Sequence, residues 1–464
     1  MALGVSLVAL SACSFVPEFE TPKIAMPAAW EAAPPVTSVA AVSDDAADTV
    51  HTYVAWWSRF GSEELNSLMR EALGANQDIA AALQRIEQAR AAARIAGAGL
   101  LPRVDAGGNV SHDTQRRNGD WEADTSDRAD IVASYELDLW GRNRANAEAA
   151  AANLAASAYD RDAIALVVQS ELASAYITVL ALKDRIAIAQ NNLTLARELL
   201  QLIETQFEEG RSSGLEVAQQ RLTVSTQEAA IPELERQLRA AETAIAVLLG
   251  RPPQGFRVAA PSLKVLALPA VAAGRPADLL TRRPDIRRAE ADLRAANADI
   301  GAARATFFPT VDLSVSAAVS GLLTSGGATT AGSLAGSLVA PIFSGGALEG
   351  QLEQSRARHE ELVAAYRRSV LTALKEAEDA LVSIDANSRR SELLARAAEE
   401  ARDAFRLSQL RYVAGAVDFI SVIDAQRSQL SAEDSLVQAE LARFDAVIDL
   451  YAALGGGWPE LPES

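Results

Sequence analysis

One cysteine and three histidines in 464 residues are too few for a Cys/His zinc cluster, and a lone thiol builds no internal disulfide. Carboxylates are the abundant reactive groups, 61 against 43 Lys and Arg. No Gly-rich phosphate loop, nucleophile elbow or HExxH pair accompanies them. These residues point to no enzyme activity, no cofactor and no metal site. The formal charge of −18 repels phosphate backbones and argues against nucleic acid as a partner. With 49% hydrophobic residues the chain can bury a core and is not disordered.

The cysteine itself has a telling position. Met1 to Ala12 are apolar or small, and Leu10-Ser11-Ala12-Cys13 reads as a bacterial lipobox, although no Lys or Arg precedes the run. Two small side chains suit a signal peptidase, and the Cys13 sulfur is then the nucleophile that takes diacylglycerol. Ser14 rather than Asp after it implies sorting to the outer membrane. The competing expectation is a buried structural cysteine. Residues 14–50, rich in Pro and Ala, read as an extended tether.

The elements that would position any other group occur twice. Asp78-Ile79 recurs as Asp285-Ile286, and Leu101-Pro102-Arg103-Val104-Asp105 as Phe308-Pro309-Thr310-Val311-Asp312, about 207 residues on. Phe207-Glu208-Glu209-Gly210 matches Tyr412-Val413-Ala414-Gly415, and Leu249-Gly250 matches Leu454-Gly455, at about 205. Ordered anchors at one near-constant offset indicate an internal duplication. The expected division is a signal peptide over 1–12, a lipid-anchored N-terminal segment over 13–60, and a first repeat over 61–250. A linker over 251–275, a second repeat over 276–456 and a tail over 457–464 follow.

Within each repeat a helix (about 65–99, and 277–306) leads to a strand pair and then to a helical hairpin. From Arg142 to Glu209 about 68 residues run without Gly or Pro, and from Gln351 to Ala414 about 64, each about 100 Å as one helix. Apolar positions such as Leu172, Tyr176, Ile177 and Leu180 fall at helical spacing. Gly210 and Gly415 end the long helices, and partners follow from about Leu215 and Val417. Period-two runs at Val104 to Ser111, Ile131 to Leu139, Val311 to Ser320 and Leu334 to Phe343 read as strands of about ten residues, a length that crosses a bilayer in a barrel. Residues 313–348 carry no charge, but their glycines make a membrane helix a poor fit. Four strands cannot close a barrel, so strands that span a membrane would require an oligomer.

The duplicated order, with Trp56-Trp57, the run Pro276-Ala277-Asp278-Leu279-Leu280-Thr281-Arg282-Arg283-Pro284-Asp285-Ile286-Arg287, Phe307-Phe308-Pro309, Pro341-Ile342-Phe343-Ser344-Gly345-Gly346 and Arg411-Tyr412-Val413-Ala414-Gly415, resembles the outer membrane efflux proteins, the TolC-like channels. The resemblance covers nearly the whole chain. It implies a mainly α protein with a membrane β-barrel: a homotrimer whose twelve strands form one barrel, continued into the periplasm by a twelve-helix tunnel. The function implied is passive export of drugs or other small molecules, with a periplasmic adaptor (membrane fusion) protein, an inner-membrane efflux pump and outer-membrane lipid as partners. It also implies a constriction at the hairpin turns, Gly210 and Gly415. There Asp418 and Asp424 would repeat as rings of three carboxylates, and Tyr412 would bond across to Glu216, with Arg211 a further partner. A second acidic ring position is Ser421 here. The alternative is a lipid-anchored coiled-coil scaffold without a pore, whose tip charges are ordinary solvated groups.

Overall fold

The computed structural model describes residues 15–31, 55–271, 273–323 and 327–456; Cys13, the expected signal segment and the expected C-terminal tail lie outside them. Helices α1 (Glu63–Ala75) and α2 (Gln77–Ala98) precede strands β1 (Arg103–Arg117) and β2 (Asp120–Glu136), then α3 (Arg142–Glu208) and α4 (Gly214–Leu248). The second repeat gives α5 (Leu279–Arg282), α6 (Pro284–Ala305), β3 (Thr310–Ser320), β4 (Thr329–Val339), α7 (Ala347–Val413) and α8 (Phe419–Ala453). The duplication is thus structural: α3 and α7 both have 67 residues, and α4 and α8 both have 35.

Several boundaries differ from expectation, each for a local reason. The helix expected over 65–99 breaks at Asn76, whose side-chain oxygen accepts from the backbone N–H groups of Asp78 and Ile79 and so caps a new helix. The one expected over 277–306 divides before Pro284, which opens α6 where a missing N–H costs nothing. The first strand pair is longer than the period-two runs, 15 and 17 residues, because the polar stretch between them is itself paired. Asn118 (φ +54°) and Gly119 (φ +103°) make the two-residue turn that closes it. β2 stops at Glu136, short of Leu137 and Leu139. β4 runs Thr329–Val339 rather than reaching Phe343, since Pro341 cannot donate to a ladder.

The chain forms two compact units, and α3 and α7 contribute to both. The first comprises residues 15–24, 84–159 and 287–368 and holds the sheet, which is antiparallel in the order β1-β2-β3-β4. Register pairs Val104 with Ala133, Ala133 with Val315, and Val315 with Leu334, so one face is a continuous apolar band. The other face carries Asn109, Asp130, Ser314, Ser316, Ser333 and Ser337. Val104, Ile131, Val315, Leu334 and Leu338 are all exposed. Exposed apolar side chains on one face of a sheet and polar ones on the other are the pattern of a barrel wall. At the foot of the sheet Phe308 stacks between Phe15 and Trp140, with ring centroids 4.6 and 4.9 Å away, and the Trp140 indole donates to the Pro309 carbonyl at 2.7 Å. Residues 15–19 then lie along α6: the Asn297 side chain donates to the Pro17 carbonyl, and a Cβ on Gly301 would stand 2.5 Å from Val16.

Among the described residues the second unit comprises 25–31, 55–83, 160–271, 273–286 and 369–456. Its core joins Trp56, Phe60, Leu65 and Met69 to Leu172, Tyr176, Ile177 and Leu180 of α3 and to Tyr451 of α8, on which Trp56 stacks at 5.0 Å. The same apolar stretch of α3 is long and apolar enough on composition to cross a membrane, but here Val168, Leu172, Ala173, Tyr176, Ile177 and Leu180 of it are buried in this core. The inter-repeat linker is clasped onto it. The Glu64 carboxylate accepts from the N–H groups of Ala259 and Ala260, and the Lys183 ammonium donates to the carbonyls of Val258 and Ala260. Buried Arg283 gathers Asp285, Glu376 and the Ala453 carbonyl, which ties the Arg-Arg-Pro-Asp-Ile run to α7 and to the end of α8.

Candidate gate at the helix-hairpin tips

The tips belong to the second unit, and their two turns are built alike. Gly210 has φ +74° and Gly415 φ +70°. The Arg211 N–H wraps back to the Gln206 carbonyl at 2.7 Å, and the Ala416 N–H to the Arg411 carbonyl at 2.8 Å. A left-handed residue with this wrap-back bond satisfies the last helical carbonyls, and glycine adopts it without Cβ strain.

The helices leaving the turns start differently. Ser213 Oγ accepts from the Glu216 N–H at 3.3 Å, and the Glu216 carboxylate accepts from the Ser213 N–H at 2.8 Å, a reciprocal capping box. The repeat equivalents are Asp418 and Ser421, which form no such box; the Asp418 carbonyl accepts from the Ser421 N–H at 3.0 Å. Asp418 therefore sits as the N-cap of α8, where its charge faces the positive end of the helix dipole. The Arg211 guanidinium pairs with Glu209 inside its own turn rather than with Tyr412 or Glu216. Asp424 is exposed on the first turns of α8.

Tyr412 joins the hairpins, though not by the bond expected. Its ring lies 5.3 Å from Phe419 at the edge of an apolar cluster of Leu199, Ile203, Val217, Phe405 and Val422, contributed by both hairpins. Its hydroxyl donates to Gln206 Oε1 at 3.4 Å. Glu216 is occupied by its cap and by the Ser212 hydroxyl, so it acts on Tyr412 through its charge. Burial first, and then that charge, raise the Tyr412 pKa above the usual phenol range, with a bond to Ser212 working the other way. Tyr412, Gln206, Ser212 and Glu216 thus form one cluster, of which the family resemblance implies only Tyr412 and Glu216. The Ser213-to-Glu216 spacing is a legible capping signal; nothing in the sequence marks Gln206.

Further from the turns, the buried Glu433 carboxylate accepts from Asn192 of α3 at 3.0 Å and from Arg402 of α7 at 2.6 Å. Beside it Arg185 grips Asp434. These ties fasten α8 to its neighbours, and in sequence Glu433 looks like any solvated glutamate.

Paired long helices, the two-faced sheet and the repetition of the same element order along the chain agree with the sequence profile of the outer membrane efflux proteins, which matches residues 68–251 and 276–456. The chain belongs to that family. It is 39% identical over 474 residues to the pyoverdine export outer membrane protein OpmQ of Pseudomonas aeruginosa, covering 99% of this chain and 97% of the relative. Against the outer membrane protein OprJ of the same organism identity is 33% over 479 residues, covering 99% and 97%. Among solved structures, the outer-membrane channel OprN superposes with a TM-score of 0.85 at 30% identity, covering 95% of this chain and 99% of that one. The open state of the MtrE channel of Neisseria gonorrhoeae superposes with 0.83 at 30% identity, covering 96% and 98%. The protein is an outer-membrane efflux channel component of TolC-like fold, in a family of transporters rather than enzymes.

Proposed function

We propose that three copies assemble into one passive conduit, a barrel of twelve strands continued by twelve tunnel helices. The observation that carries this reading is the sheet: one apolar face, one polar face, and outer strands β1 and β4 each paired on one side only among the described residues. Open strand edges in lipid leave backbone groups unsatisfied, and three sheets of four strands close them. The conduit takes cargo from an inner-membrane pump through a periplasmic adaptor. Its substrates are small organic molecules, as its likeness to OpmQ, a pyoverdine export protein, suggests. No catalytic step is needed. Cys13 carries the lipid, and residues 1–12 are absent from the mature chain; the aromatic stack around Phe15, two residues further on, supports an anchor at the foot of the barrel.

At the tips, Tyr412 with Gln206, Ser212 and Glu216 forms the tie that keeps a chain's two hairpins together, and Asp424 faces the lumen. Gly210 and Gly415 shape the turns; Asp418 caps α8, and Arg211 steadies its own turn. Native mass spectrometry of the detergent-extracted protein tests the assembly and the anchor together, with three copies and one triacyl increment per copy expected. Planar-bilayer recording should give discrete single-channel steps. A non-conducting trimer would favour the pore-free scaffold, and a monomer of normal helicity would reject the assembly.

A further inference from the structure

The duplication carries information about a pairing that lies outside a single chain. Arg103 opposes Ser134 in the first hairpin and Thr310 opposes Val339 in the second. The Pro-x-Val-Asp match aligns Arg103 with Thr310, so Ser134 corresponds to Val339. Equal helix lengths and the equivalence of Gly210 with Gly415 support the same alignment of the second halves. The β2–β3 ladder is the junction between one repeat and the next, and its register is known: Ser134 with Ser314, Val132 with Ser316, Asp130 with Ala318, Arg128 with Ser320. In a closed ring of six repeats, β4 meets the next copy's β1 at an equivalent junction.

We infer that β4 of one chain pairs with β1 of a second copy in the register Val339 to Gly107, Ser337 to Asn109, Ala335 to Ser111 and Ser333 to Asp113. This rests on the trimer reading above and deepens it by fixing the seam. Alternation supplies an independent check. In this register Leu338 opposes Gly108 and Gly336 opposes Val110, all on the apolar face, while the serines and asparagine stay on the polar face. A slip of one residue would set Leu338 against Asn109 and turn polar groups into lipid, so one-residue alternatives are excluded. Slips of two keep the faces but break the equivalence of the two junctions.

Cysteine pairs read the register directly. Directly opposed residues have Cα atoms about 4.5 to 5.5 Å apart, whereas a two-residue slip takes them beyond the roughly 7 Å that a disulfide can bridge. The full-length protein with Asn109→Cys and Ser337→Cys, oxidised in outer membranes, should run as covalent dimer and trimer that reducing agent collapses. Val110→Cys with Gly336→Cys samples the alternate hydrogen-bonding phase of the ladder and should link too. Each single-cysteine variant controls for Cys13. Asn109→Cys with Ala335→Cys, or Ser111→Cys with Ser337→Cys, should stay mostly unlinked. Preferential linking of an off-register pair, or no linking of any pair in a protein that native mass shows to be trimeric, overturns the register. A monomeric native mass would instead overturn the trimer on which it stands.

Discussion

Tyr412 contributes to the tip in two separable ways, through a buried ring and through a hydroxyl. The ring packs on Phe419 and survives Tyr412→Phe, while the bond to Gln206 does not. A neutral hydrogen bond contributes about 0.5 to 1.5 kcal/mol, and loss of the Glu216 side of a capping box costs on the order of 1 kcal/mol. Tyr412→Phe with Glu216→Ala should therefore raise the conductance of the isolated channel several-fold at unchanged trimer content; wild-type conductance in bilayer recordings would remove the pair from the gate. A second residue gives a pH test. Asp162 of α3 is buried, which pushes its pKa up from 3.8 to about 6, with Arg161 at 2.8 Å opposing the shift. Because the folded pKa is the higher one, its favourable contribution is complete below about pH 4 and fades as pH rises through about 6. The penalty left at neutral pH is at most about 3 kcal/mol and nearer 1 to 2 once residual solvent screening is allowed. Asp162→Asn should raise the melting temperature at pH 7.5 and lose that advantage toward pH 4; an equal effect at both pH values would show that the carboxylate is not the source.

At the scale of elements, the strands offer the sharpest contrast. Leu313 and Val315 alternate with Ser314 and Ser316 along β3, and the first pair is exposed on the apolar face. A charge facing lipid costs about 2 to 4 kcal/mol at mid-bilayer. Leu313→Arg and Val315→Arg should thus reduce assembled trimer in outer-membrane fractions, whereas Ser314→Arg and Ser316→Arg should assemble. Equal tolerance at both parities would reject the orientation. The alternation that makes this prediction possible was legible without coordinates, as were the long helices, whose ends at Gly210 and Gly415 needed only a gap in Gly and Pro and a cap. The upper half of the first strand pair was not legible. Beyond Val110 both faces become polar, so Ser111 to Asp130 look like a loop, and pairing there depends on the Asn118-Gly119 turn and cross-strand contacts such as Ser111 to Ser126 at 2.8 Å. The tip was legible in its glycines and acids but not in its bonds. Which oxygen Tyr412 reaches depends on Glu216 being taken up by its own cap, a competition within a few ångströms that spacing does not encode.

Asp424 has consequences only at the scale of the whole molecule, because one exposed carboxylate on a helix is ordinary and three around an axis are not. The chain is already acidic, and in the proposed trimer three copies of a −18 protein would surround the lumen with a negative potential. A ring of identical carboxylates would concentrate that potential within the Debye length of about 8 Å at physiological ionic strength, where salt screens it least. Such a ring admits cations before anions and holds a multivalent cation by several charges at once. Asp424→Ala should therefore lower the cation-to-anion permeability ratio and weaken block by trivalent cations roughly tenfold or more, with single-channel conductance at high salt little changed. Because Asp418 caps α8 rather than facing the lumen in this reading, Asp418→Asn should leave both ion preference and block near wild type. Reversal potentials in a salt gradient separate the two: if Asp418→Asn shifts the reversal potential and Asp424→Ala does not, the ring belongs to the helix cap and the assignment made for Asp424 fails.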